Sequence, residues 1–215
     1  MPPDGDFCPS MPGEPPIGLR KVPPPAVSVH SWQNVGNAQA ERERRISAWA
    51  EWRLSPDDAP PAEQKDVSDL PMAPLSARER GIVRLDVTAL AEAIRIRRYT
   101  AVEVARAFFH VATIAQDLTN CLTEVFFDEG LRRAQELDHH LEKTGQVIGP
   151  LHGVPVSIKD HILVKGHDTS TGYVSWVGRT VAEKDAVVVD ILRRAGAVIY
   201  VKTANPQTLL VCTGA

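Results

Sequence analysis

The chain has 215 residues, 43% hydrophobic and 24% charged, the composition of a soluble globular protein. A formal net charge of -3 implies no basic face for nucleic acid, and no apolar run reaches the length of a membrane span. Cys8, Cys121 and Cys212 are odd in number and lack metal or disulfide spacing, which fits free thiols in a reducing compartment. No basic start is followed by an apolar core, so the N-terminus predicts a cytoplasmic protein with no secretory signal.

Residues 1–27 are broken by Pro2, Pro3, Pro9, Pro12, Pro15, Pro16, Pro23, Pro24 and Pro25, and read as a disordered tail extending to about residue 35. A docking peptide is the other reading of such a segment, and composition favours the tail. Residues 36–75 read as a helix and a linker. The helix is expected over 38–54, with Ile46, Trp49 and Ala50 on one face and the charges of Glu41 to Arg45 on a solvated one. Pro, Asp and Ala over 55–75 then predict an irregular connection.

From residue 76 the pattern becomes periodic. Ser76 with Glu79, and Thr100 with Glu103, have the spacing of capping boxes, in which each side chain satisfies an orphan amide of the other's turn. Leu90, Ala93, Ile94 and Arg97 share a face of a helix near 87–98. Val104, Phe108, Val111 and Ala115 line a second helix after Thr100, and Leu131, Ala134, Leu137 and Leu141 a third near 127–143. Such a helical layer needs something flat to pack against.

Gly153 to Lys159 supplies it, as a strand with Val154, Val156 and Ile158 on one face and Ser157 and Lys159 on the other. Asp185 is placed to cap a helix over 186–195, and Gly196 suits its left-handed stop. Ala197 to Lys202 then reads as a buried parallel strand. Strand, helix and strand form a βαβ unit, so the fold class is α/β with an N-terminal helical layer.

Lys159 closes the first strand, where ligands gather in open α/β sheets. A sheltered lysine there would lose solvation and could take a proton from a hydroxyl nucleophile. On the residues alone the preferred reading is a strand-end lysine in water, loosely paired with Asp160.

The surrounding sequence decides between them. Gly149-Pro150-Leu151-His152-Gly153-Val154-Pro155-Val156-Ser157-Ile158-Lys159-Asp160 resembles the opening of the amidase signature core. The likeness continues through Val164 to Trp176, Leu192 to Thr203 and Asn205 to Leu209. Upstream, Ala115 to Cys121 and Ala134 to Asp138 resemble the helical region of fungal acetamidases. The resemblance implies a cofactor-free serine hydrolase that splits carboxylic amides with a Ser–cis-Ser–Lys triad, in which Lys159 matches the lysine, acting as general base. It makes residues 76–215 the N-terminal part of an amidase domain, the incomplete start of its mixed sheet.

One departure matters. The Gly-Gly-Ser-Ser-Gly-Gly stretch that carries the bridging serine in the family does not occur in these residues, and neither Ser157 nor Ser170 matches a catalytic serine. The expectation is a truncated amidase, inactive as this chain alone; the alternative is a non-catalytic remnant or a helical interaction or dimerisation module. The partner implied is a small-molecule amide, if the chain is completed, and a homodimer stays open. Leu209, Leu210 and Val211 match the stretch that lines the acyl pocket in some relatives, although plain apolar core explains them equally. Thr169-Ser170-Thr171-Gly172 resembles a loop near the lysine, and by itself reads as a polar turn bonding its own backbone. His152, His161 and His167 offer no pair on a common element, so no metal is expected, and His139-His140 reads as solvent-facing.

Overall fold

The computed structural model describes residues 29–61, 63–206 and 209. Helix α1 runs Val29–Ser47, so it begins inside the segment read as tail and stops before the expected residue 54. Its apolar side continues into a 3-10 turn at Ala50–Trp52, where Trp49 and Trp52 stack with centroids 4.6 Å apart. Residues 55–75 are irregular apart from 3-10 turns at Pro56–Asp58 and Leu70–Met72. The rest of the tail assignment, residues 1–28, falls outside the described residues.

Helices α2 (Ala77–Val83), α3 (Val87–Arg95) and α4 (Ala101–Thr119) follow, and both expected capping boxes form, at Ser76 with Glu79 and at Thr100 with Glu103. Leu90, Ala93 and Ile94 are buried, but Arg97 is not on their helix. It lies past the end of α3 at φ 59° and donates to the Leu141 carbonyl at 2.7 Å. On α4 Val104 is buried as expected and Phe108 is half-buried against two core clusters, while Ala105, Phe109 and Ala112 widen the inward face. Helix α5 (Phe127–Thr144) buries Ala134, Leu137 and Leu141.

The sheet has three strands in the order β1-β3-β2: β1 (Leu122–Val125), β2 (Pro155–Lys159) and β3 (Val198–Thr203). Strands β2 and β3 are parallel, joined through α6 (Val187–Arg194), as the βαβ reading requires. Strand β1 was not expected; it pairs antiparallel with β3, so the sheet is mixed. Asp185 does not cap α6. Its carboxylate instead accepts from the Lys165 amide at 2.7 Å and from Arg193 Nε at 2.9 Å, tying the preceding loop to the helix. Gly196 takes the left-handed conformation expected of it, at φ 93°.

Helices α4 and α5 lie on one face of the sheet over an aromatic core. Phe109 stacks on Phe127 at 4.6 Å and on Tyr200 at 5.2 Å, with Trp49 edge-on to both phenylalanines. The other face packs Phe126, Ile158 and Ile199 against Val164 and Val189 of the β2–β3 connection. The charges of α1 are not all solvated. Arg42 Nη1 donates to the Leu122 carbonyl at 2.7 Å and Arg45 Nη1 to the Val125 carbonyl at 3.0 Å. These two arginines satisfy acceptors on β1, the edge strand, that water or another chain would otherwise take.

Candidate active site

The carboxyl ends of β2 and β3 bring two lysines together in the register. Lys159 pairs with Thr203, and Lys202 with Ile158. Directly paired residues share a face, and successive residues alternate, so the two lysines leave the sheet on opposite sides. Lys159 is exposed, and its Nζ donates to the Ala204 carbonyl at 2.5 Å. The loose Lys159–Asp160 pairing expected from adjacency does not form, because Asp160 turns to the other face.

Lys202 is fully buried, the last apolar-flanked position of a strand whose preceding residues are all buried hydrophobics. Its Nζ donates to the Asp168 carbonyl at 2.6 Å and to Thr169 Oγ1 at 2.9 Å, and stands 3.9 Å from Asp160 Oδ1. Burial pulls this ammonium below the usual lysine value, and the Asp160 carboxylate opposes the shift. Asp160 is itself 2% exposed. Its carboxylate accepts from Thr123 Oγ1 at 3.2 Å, Ser170 Oγ at 3.1 Å and the Thr171 amide at 2.6 Å. The Thr169–Thr171 turn thus spends its polar groups on Asp160 and Lys202, not on its own backbone alone.

His167 stands beside this network, 4% exposed and against the Phe126 ring with centroids 4.0 Å apart. Nδ1 faces Glu124 at 3.4 Å and Nε2 faces Glu129 at 3.3 Å. Burial alone would depress the imidazolium, but the two carboxylates outweigh it and its pKa is raised. The carboxylates lie at opposite nitrogens and so do not converge with the ring on one point. Among the described residues, no group of three or more His, Cys, Asp or Glu side chains is gathered as a metal would require. His161 is exposed, while His152 is buried with Nδ1 accepting from the Ile148 amide at 3.1 Å. His139 is exposed and His140 half-buried.

Leu209 is 46% exposed at φ 60°, beyond the end of β3. Leu210 and Val211 lie outside the described residues. Sequence reasoning named Lys159 and missed the Lys202–Asp160 pair. The signal was a lysine ending an apolar strand, the same signal that singled out Lys159.

A mixed sheet fed by a Gly-Val-Pro-Val-Ser-Ile-Lys strand, with a lysine at its carboxyl end, defines a class. The family model described as amidase matches residues 103–215, and the chain belongs to that family. It is 47% identical over 127 residues to an amidase of Schizosaccharomyces pombe, covering 59% of this chain and 24% of that one. It is 41% identical over 186 residues to the acetamidase of Emericella nidulans, covering 85% of this chain and 32% of the relative. Among solved structures it is similar to a fatty acid amide hydrolase, with TM-score 0.61 and 34% identity over 80% of this chain and 33% of that one. The chain therefore spans about a quarter to a third of the length of these relatives. No helix among the described residues is long and apolar enough to cross a membrane.

Proposed function

We propose that this chain is the N-terminal portion of an amidase that hydrolyses a small carboxylic amide to carboxylate and amine or ammonia, with Lys159 as the general base. The observation that carries the reading is the position of Lys159: exposed at the carboxyl end of β2, within the Gly149–Asp160 segment that the family match includes. In the implied mechanism Lys159 takes a proton, through a bridging serine, from the nucleophilic serine that attacks the amide carbonyl. Neither serine has a match among these residues. The 215-residue chain by itself therefore holds one of three triad groups, and triad members act as a unit.

The direct test is a chimera joining this chain to the corresponding C-terminal portion of the Emericella nidulans acetamidase. Acetamide hydrolysis by the chimera is expected, and Lys159→Met is expected to lower kcat by about a thousandfold or more. Turnover that survives Lys159→Met overturns the assignment. The chain alone is expected to show no turnover of acetamide, and activity abolished by Lys159→Ala would refute that.

The interaction-module reading has one favouring observation, the outward apolar side of α6, where Val187 and Ile191 are 76% and 51% exposed. A concentration-independent monomer by sedimentation would remove it as a dimerisation module.

A further inference from the structure

A lysine at the buried end of an apolar strand is costly, since an ammonium removed from water loses its hydration and recovers it only through well-placed partners. Lys202 has such partners, and they come from two separate pieces of chain. Its Nζ holds the Asp168 carbonyl and Thr169 Oγ1 of the loop, and faces Asp160 at the end of β2. Through Asp160 the network reaches Thr123 on β1 and Ser170 and Thr171 in the loop. All three strand ends and one loop thus meet at a single buried pair.

Lys159 is the residue before Asp160 and leaves the sheet on the other face. The Asp160 amide donates to the Thr203 carbonyl at 2.9 Å, and the next carbonyl, that of Ala204, receives Lys159 Nζ. Lys159 thus projects from a strand end that Asp160 ties down, toward a carbonyl two residues beyond Lys202. We propose that Lys202 is a positioning residue for Lys159: the buried Lys202–Asp160 pair clamps the ends of β2 and β3 and so fixes the direction of the Lys159 ammonium. This inference rests on the reading of Lys159 as the amidase base. A strand end free to twist would let Lys159 sample many directions, and a proton transfer that needs hydrogen-bond reach tolerates little of that.

The test uses the purified chain and an acetylating reagent at limiting concentration, with the rate at each lysine read by mass spectrometry from pH 7 to 10. Lys143, exposed on α5, is the internal reference. In the parent, the bond to Ala204 is expected to slow Lys159 relative to Lys143 by about fivefold, the weight of an ordinary hydrogen bond. Lys202→Met and Asp160→Asn are each expected to bring Lys159 to the Lys143 rate and its pH profile. The double variant is expected to do no more than either alone, because the two residues act as one unit. Thr169→Val removes one acceptor, leaves the pair, and is expected to give a smaller change in the same direction; it reads the proposal where the stronger variants do not fold. Variants that keep the parent circular dichroism while Lys159 keeps its parent rate and profile overturn the positioning role. That outcome differs from failure of the amidase reading, which shows as chimera turnover indifferent to Lys159.

Discussion

At the scale of single residues, His167 makes the sharpest prediction. Its folded pKa is raised, so the folded chain binds its proton more tightly than the unfolded chain does. The stabilisation is complete below the unfolded histidine value of about 6.5 and is lost as pH rises through the raised folded value. His152 works with the opposite sign: burial lowers its pKa, so its contribution is present above the unfolded value and lost as pH falls. Denaturant unfolding of the parent and of His167→Gln from pH 5 to 9 separates them. The difference between the two is expected to shrink steadily toward alkaline pH; a constant difference would show that the Glu124–His167–Glu129 contact carries no charge. At this scale Lys159 was legible because strand-end position and local motif lie within a dozen residues. His167 was not, since Glu124 and Glu129 are 43 and 38 residues away and only the folded chain brings them to one ring. The pairing of Asp160 with Lys202 was hidden for the same reason, although Lys202 carries the strand-end signal that marked Lys159.

At the scale of elements, the helices were legible wherever stop and start signals are local, as at the two capping boxes and the glycine after α6. Strand β1 was not: four residues between two long helices have no period to read, and their partner, β3, comes some eighty residues later. Their strand character is imposed by pairing. Gly130 shows another tertiary demand. A Cβ there would meet Phe109 Cζ at 2.9 Å and Tyr200 Cβ at 3.1 Å, where α5 crosses β3. Alanine is the better helix former by about 1 kcal/mol, yet overpacking against stacked rings costs about 1–3 kcal/mol. Gly130→Ala is therefore expected to lower stability in a urea titration, and a gain would show that the rings yield. The arginines of α1 have an equally direct test. Arg42→Met with Arg45→Met bares the Leu122 and Val125 carbonyls, and faster hydrogen exchange at α1 and β1 is expected; unchanged protection would mean the edge is held by other contacts.

At the scale of the molecule, the sheet has unequal edges. Strand β1 is covered by α1, while among the described residues nothing pairs the outer edge of β2. The connection to β3 presents Val187, Val188 and Ile191 to solvent. In the relatives the matched portion is 24% and 32% of the full length. An unpaired edge and a bare apolar helix face predict a chain that binds the dye ANS, melts broadly and associates at high concentration. Val187→Lys with Ile191→Lys is expected to reduce dye binding and association while changing stability by no more than about 0.5 kcal/mol, as befits exposed sites. A sharp cooperative melt of the parent without dye binding would contradict this account. The α/β class and the helical layer were legible from periodicity. The mixed character of the sheet came from the family resemblance and not from periodicity, because β1, which makes it so, has no period to read.

The arginine seal on β1 also bears on the order of events during synthesis. Helix α1 leaves the ribosome long before β3 does, so the segment that closes one side of the sheet is waiting when the central strand arrives. Each later strand then finds a single direction in which to add. Mispairing with a neighbouring nascent chain is confined to the β2 side, and the time spent with that side open is the interval of greatest hazard.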